Sequence, residues 1–421
     1  MNDLGQQSGT TAGQVDWPAI ARWAVREGMA GAPIARLIEG LCQQMQDAGV
    51  PVLRAFLGVQ ALHPLYGGYS FVWRRREDEV EQGGYLRNAG RNPDFLSSPF
   101  HHMYEQRELR LRQGLETEAE REFPIYQTFR AEGGTDYYAR ILPFLRPDGE
   151  AGEDGVVTSF LFDPPGGMND DDVAELDRVL EVFALAVRSA STQETATNVA
   201  QTYLGRDAGK RVLDGDIQRG TVNSMRAVIY FADLRGFTAL ADRLPSGELL
   251  SMLDGYLEAI AGPVLERGGE VLKFLGDGVL AVFEIDGERA DECQVACLQS
   301  LAAARAAFAA MADLNGERQA NGQPVLDLDL ALHVGDVAYG NVGAETRLDF
   351  TVIGGAVNEA ARIEALCREL GESLLISDSF RQAMIGCGEV LRPVGSHRLR
   401  DLPGERPLYA LASDRPGAAA P

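Results

Sequence analysis

AVIYFADLRGFTAL, residues 227–240, is the stretch that decides how the second half of this chain folds. Ala227 to Ala232 form an unbroken apolar run, as in a strand buried on both faces. The run ends at Asp233, and Leu234, Arg235, Gly236, Phe237 and Thr238 turn the chain towards a helix-like segment. A carboxylate at the end of a buried strand suits a hard cation that carries phosphate. Backbone amides in a turn entering a helix can face phosphate oxygens. An ordinary aspartate cap on that helix fits these residues equally well.

Downstream, GGEVLKFLGDGVLAVFE (268–284) places Gly276-Asp277-Gly278 between two apolar runs, a hairpin signal with Asp277 at its tip. Taken alone, Asp277 is there because Asp-Gly makes good turns. Lys273 is less easily dismissed. Strand alternation puts Val271 and Leu275 on its face and Leu272 and Phe274 on the other, so this lysine must snorkel, pair or meet a ligand. In DLDLALHVGDVAYGNVG (327–343) leucines alternate with polar residues, which predicts a half-buried strand with a structural His333 on its polar face. In RLDFTVIGGAVNEAARIEAL (347–366) a strand, a Gly354-Gly355 turn and a helix follow one another. Asn358 and Arg362 are four apart and share a helical face, which alone is an ordinary solvated pair.

The whole chain has 421 residues, 45% of them hydrophobic and 24% charged, enough for two or three globular domains. Its formal net charge of -23 argues against a general nucleic-acid role, because such a surface repels phosphate backbones. An anionic substrate needs a locally cationic site. Five cysteines without paired metal spacing read as packing residues; Cys293 and Cys297 share a helical face, and structural zinc there is the lesser alternative. The start, MNDLGQQSGTTAGQ, lacks the layout of a signal peptide, and no run reaches ~18 uninterrupted apolar residues. No membrane span and a cytoplasmic location are therefore expected.

Composition divides the chain into a disordered segment 1–16, a domain over 17–190, a connector 191–222, a second domain 223–413 and a disordered tail 414–421. In the first domain a helical pattern runs from Trp17 to about Gly49. Strands follow over Pro51–Leu62, Tyr69–Arg74, Asp136–Leu145 and Val156–Phe162, with a charged, irregular region over Glu77–Glu122. Asn169 is a candidate helix cap before three aspartates. Val173, Leu176, Leu180, Phe183 and Val187 then alternate spacings of three and four, which fits a short coiled coil or a helix packed on its own domain. His63, His101 and His102 are read as exposed loop residues rather than haem or metal ligands.

FADLRGFT, KFLGDG and FTVIGGAVNEAAR, in this order and spacing, resemble class III nucleotidyl cyclases, and the likeness extends to RLRDLPGERPLYAL (398–411). The resemblance implies a ferredoxin-like α/β core that works as a head-to-tail homodimer with ATP at the interface. It assigns two magnesium or manganese ions per site to Asp233, Asp277 and the backbone carbonyl of Leu234. It assigns base selection to Lys273 and Thr351, ribose orientation to Asn358, charge stabilisation at the α-phosphate to Arg362, and a triphosphate contact to Arg400. Gly236, Phe237 and Thr238 line the phosphate turn. Guanylate cyclases of the family usually carry Glu and Cys at the base-selecting positions, so Lys273 and Thr351 favour an adenylate cyclase. Gly355 departs from the family, where a polar residue is frequent, with little effect expected. Over Trp17–Ala190 the order of helix, antiparallel strands and long helix resembles a GAF- or PAS-like α+β sensor for an unknown small molecule. The rival functions are a guanylate cyclase, a catalytically weak nucleotide-binding regulator, and a ligand sensor with weak cyclase output.

Overall fold

The first helix begins at Asp16, whose carboxylate accepts a hydrogen bond from the Ala19 amide at 2.9 Å. The computed structural model describes residues 15–412 except 78, 88–91, 118–121, 147, 149 and 288. Of the two segments expected to be disordered, the tail 414–421 and all but Val15 and Asp16 of the first lie outside the described residues. The chain divides into two units, Met1–Val199 and Ala200–Pro421.

In the first unit the helical pattern over Trp17–Gly49 resolves into α1 (Trp17–Met29) and α2 (Ile34–Asp47). Gly31, at φ 70°, and Pro33 separate them. β1 (Val52–Gln60) and β2 (Tyr66–Arg74) pair antiparallel. The region expected to be irregular instead contains β3 (Glu81–Leu86), α3 (Pro93–Leu96), α4 (Pro99–Gln106) and β4 (Arg110–Gly114). β3 and β4 are the two edges of the sheet β3-β2-β1-β6-β5-β4, so their solvated residues carry no apolar alternation to read. His101 and His102 accordingly sit on α4 rather than in a loop. α5 (Pro124–Ala131), β5 (Asp136–Leu145), β6 (Ala151–Phe162) and α6 (Asp170–Leu204) follow. Asn169 caps α6, accepting from the Asp172 amide at 2.8 Å. Val173, Leu176, Leu180, Phe183 and Val187 are buried within this unit with Ile38, Leu41, Phe71 and Phe160, so their spacing serves packing on their own domain. A second cluster around Met103, Tyr126, Phe129 and Tyr137 includes Ala139 and Ile141 of β5.

The second unit opens with α7 (Arg206–Leu213) and β7 (Val222–Arg235). α8 (Phe237–Ala241), α9 (Ser246–Glu266), β8 (Glu270–Leu275), β9 (Gly278–Glu284) and α10 (Ala290–Ala320) follow. Then come β10 (Asp327–Ala344), β11 (Arg347–Ile353), α11 (Gly355–Glu364), α12 (Cys367–Leu370), β12 (Leu374–Ser377), α13 (Asp378–Ala383), β13 (Leu391–Arg398) and β14 (Glu405–Leu411). The sheet runs β13-β14-β12-β10-β7-β9-β8, with β11 paired to β10. On β7, Val228, Tyr230, Ala232 and Leu234 pack with Met252 and Ile260 of α9 and Leu301 of α10. Ala227 and Ile229 take the other face, with Ala356 and Ala360 of α11. β10 is buried from Leu328 to Val334 on both faces, not half-buried as its alternation suggests, because helices cover both sides of the sheet. Among the described residues, α10 is the one helix long and apolar enough to cross a bilayer by composition. Its Ala296, Cys297, Leu301, Ala304, Ala307 and Met311 lie in the core of the unit, the pattern of a buried core helix.

Candidate active site

Strand alternation sends the odd-numbered side chains of β7 to the face covered by α11, and Asp233 and Arg235 end that row. β9 pairs Val279 with Ala232, which brings Gly278 beside Asp233. A Cβ on Gly278 would stand 3.0 Å from Asp233 Oδ1, so glycine is what lets the carboxylate approach the turn. Gly276, at φ 71°, and Asp277 close that turn between the paired Leu275 and Gly278. Burial, then the charges of Asp277 and Asp329, push the Asp233 carboxyl up to about 6. Arg235, two residues along the same strand, is engaged elsewhere: it donates through Nε to Asp329 Oδ2 at 2.9 Å, and the two make a bidentate pair. Among the described residues neither Asp233 nor Asp277 has an ion-pair partner. Two adjoining, uncompensated carboxylates at strand ends are a donor set that fits a hard divalent cation. No group of three or more histidines, cysteines or acids among the described residues forms a ready metal cage. Leu234 buries its side chain on the opposite face at 2% exposure, leaving only its main chain for such a site.

Lys273 owes its place to a bulge. β8 pairs Val271 with Ala281 and then Lys273 with Leu280, so Leu272 is one residue extra. The shift corrects the sequence alternation: Val271 packs with the α9–α10 core, and Leu272 with the α11 core that also holds Leu280. Lys273 thus stands on the face of Leu280, and its Nζ pairs with the carboxylate of Asp349 on β11. Thr351 lies two residues beyond Asp349 and shares its side of β11, while Phe350 and Val352 are buried in the core. Lys273 and Thr351, far apart in sequence, therefore flank one residue, Asp349, that the sequence reading passed over.

On α11, Ala356, Ala360 and Ile363 are buried. At about 100° per residue, Asn358 and Arg362 fall on the opposite side of the helix, Asn358 exposed and Arg362 partly so. Arg362 Nη2 lies 3.6 Å from Asp401 Oδ2 and Arg400 Nε 3.7 Å from the same oxygen, so the two arginines converge on one acid in the β13–β14 loop. The Arg400 side chain is 91% exposed. Glu364, two residues past Arg362, faces the other way. Its carboxyl is pushed up to about 8 by burial and by the charges of Asp233, Asp329 and Asp277. Nothing in the sequence marks Glu364 or Asp329 as companions of Asp233, because only the ladder register and the helix azimuth bring them there. Gly236, at φ 94°, caps α8, which is only five residues long; Phe237 packs against the core and Thr238 is exposed. A Cβ on Gly355 would meet nothing within 4 Å, so packing does not demand glycine there. His333 is 6% exposed beside Ser379 and serves the core.

Residues 222–383 match the family described as the adenylate and guanylate cyclase catalytic domain. An adenylate cyclase of Anabaena cylindrica is 34% identical over 168 residues, 39% of this chain and 32% of that protein. Adenylate cyclase 1 of Rhizobium meliloti is 27% identical over 172 residues, 40% of this chain and 25% of its own. Among solved structures, the adenylyl cyclase CyaB of P. aeruginosa is similar at 26% identity and a TM-score of 0.42, covering 47% of this chain and 100% of that one. The matched segments span a third or less of the length of these two curated relatives. The matched residues 222–383 all lie within the second unit, so the likeness to that catalytic domain is confined to it.

Proposed function

We propose that the protein is an adenylate cyclase that converts ATP to 3′,5′-cyclic AMP and pyrophosphate at composite sites of a homodimer. The carrying observation is the division of the functional groups within one chain. Asp233 and Asp277 adjoin at strand ends, on the sheet face that α11 covers. Asn358 and Arg362 sit on the side of α11 turned away from that sheet. A single chain therefore presents the acids and the ribose- and phosphate-handling groups in different directions. A second copy, related by a twofold axis, supplies the missing half to each of two equivalent sites.

In the reaction the ribose 3′-oxygen attacks the α-phosphorus, the bond to the bridging oxygen of pyrophosphate breaks, and the 3′-hydroxyl proton is released to solvent. Asp233, Asp277 and the Leu234 carbonyl would hold two magnesium or manganese ions, which when bound neutralise the triphosphate and acidify the 3′-hydroxyl. Lys273 donates to a ring nitrogen of adenine, and the Thr351 hydroxyl accepts from the exocyclic amine. Asn358 orients the ribose, so that the two reacting atoms of one molecule meet in line. Arg362 places a fixed cation where charge grows on the α-phosphoryl oxygens, and Arg400 assists at the triphosphate. Such groups are needed because the chain as a whole, at -23, repels its own substrate.

The first unit is read as a sensor that biases subunit placement through residues 191–222. Its antiparallel sheet, with a cluster of helices packed over one face, supports that role. The test is direct: purified dimer with manganese is given ATP or GTP, and the cyclic product is identified. Cyclic AMP in excess is expected. Intact dimers that cyclise neither nucleotide would overturn the proposal.

A further inference from the structure

The inward stripe of α6 changes character before the helix ends. Val173, Leu176, Leu180, Phe183, Val187 and Ala190 follow one another at spacings of three and four and are buried. The next positions of the same stripe are Glu194, Thr197 and Asn198, which face a hollow of about 390 Å³ instead of a core. The α1–α2 turn, Tyr69 of β2 and Gln82 of β3 complete its walls. Its floor is apolar, since Ala32 and Ala190 belong to the core of the unit and Tyr69 packs against it. Its rim is polar, with Gln82, Gln193, Glu194 and Asn198. That combination of apolar floor and few polar groups is how small-ligand sites are built, at the low end of their usual volume of about 300–1,000 Å³.

Two details indicate what would occupy it. Glu194 has no ion-pair partner among the described residues, although burial raises its carboxyl above the ordinary range. A half-buried acid without a cation is a cost to the fold unless something else meets it. Glu194 and Tyr69 both line the hollow, so carboxylate and aromatic ring border the same space. An acid beside an aromatic ring is the pairing that holds an organic cation, one by charge and the other by its π-face. At Gly31, φ 70° favours glycine, and a Cβ would lie 3.0 Å from Gln193 Oε1, so the turn leaves this side of the hollow clear.

We propose that this hollow binds a small organic cation, an alkylammonium or guanidinium with a short apolar body, through Glu194, Tyr69 and the flanking amides. The site deepens the sensor reading of the first unit but does not depend on cyclase activity.

The experiment is calorimetric titration of the full-length protein in moderate salt with n-butylammonium, agmatine and, as an uncharged control, n-butanol. Saturable one-to-one binding of at least one cation is expected, with none for butanol. Glu194→Gln should weaken it at least tenfold, and Tyr69→Leu, which keeps the apolar floor, several-fold. Glu194→Gln removes one of 62 acids, so the general attraction of a chain at -23 for cations is nearly unchanged. Binding that persists unaltered in Glu194→Gln would therefore be that general attraction and would overturn the site, as would no saturable binding by either cation. Glu194→Gln should unfold no lower in temperature than the parent, because no partner is lost. The readout is heat of binding, so its failure leaves the cyclase reading intact, and loss of cyclisation leaves this site intact.

Discussion

Lys273 and Asp349 form an ion pair between β8 and β11, two strands that share no ladder. Their side chains are 41% and 45% exposed, so the pair itself stabilises the fold by no more than about 1 kcal/mol. Its significance is positional, because a flexible lysine stem is held at one end of the patch that contains Thr351. In Asp349→Asn the melting temperature should move by only a few degrees. The KM for ATP should rise several-fold and the preference for ATP over GTP should narrow. Kinetics with both nucleotides checks this; a lowered KM would mean that Asp349 competes with the base instead of positioning the lysine.

Mixing should restore what single substitutions remove. Asp277→Ala and Arg362→Ala are each expected to abolish cyclisation as homodimers. Co-folded in equal amounts, half of the dimers are mixed and each mixed dimer holds one intact site of two. Activity should therefore return to about a quarter of wild type. An equimolar mixture that stays inactive while native mass spectrometry finds mixed dimers would exclude shared sites.

Arg235 neutralises Asp329, which is 6% exposed and lies opposite Asp233 in the β7–β10 ladder. Arg235→Met keeps an apolar stem but strands Asp329 beside two further acids. Unfolding in urea should show a loss of about 3 kcal/mol, the scale for a buried pair deprived of one partner. Adding Asp329→Leu should recover most of it, because the cost lies in the uncompensated charge.

His333 should make the second unit acid-sensitive. Burial holds its pKa below the ordinary 6.5, Arg406 adds to the depression, and Glu359 opposes it. The fold thus favours the neutral ring. That stabilisation is complete above the unfolded pKa and is lost as pH falls through the lower folded value. Melting temperature followed downward from pH 7 should fall more steeply in the parent than in His333→Gln; identical slopes would remove His333 as the cause.

Several features were legible because they depend on neighbours in sequence. The apolar run ending at Asp233, the Gly276-Asp277 turn and the Asn358–Arg362 spacing are each set within a few residues, and each lies in the element expected. The first unit was read less well at β3 and β4, since a solvated edge strand has no buried face to impose alternation. The bulge at Leu272 was also hidden. Its one sequence trace is a break in alternation, and EVLKFL has hydrophobic residues on both faces, so no break can be seen.

The sequence by itself determined which chemical groups this protein carries and the local element that presents each one, because backbone periodicity and turn preferences act over a handful of residues. Tertiary structure alone decided which groups meet. The pairing of Lys273 with Asp349, the Arg235–Asp329 pair beneath Asp233, and the approach of Arg362 and Arg400 to Asp401 join residues separated by up to 94 positions. Those meetings follow from strand order, register and the rotation of α11 about its axis. Packing of the whole unit sets these quantities, and no window of neighbouring residues contains them.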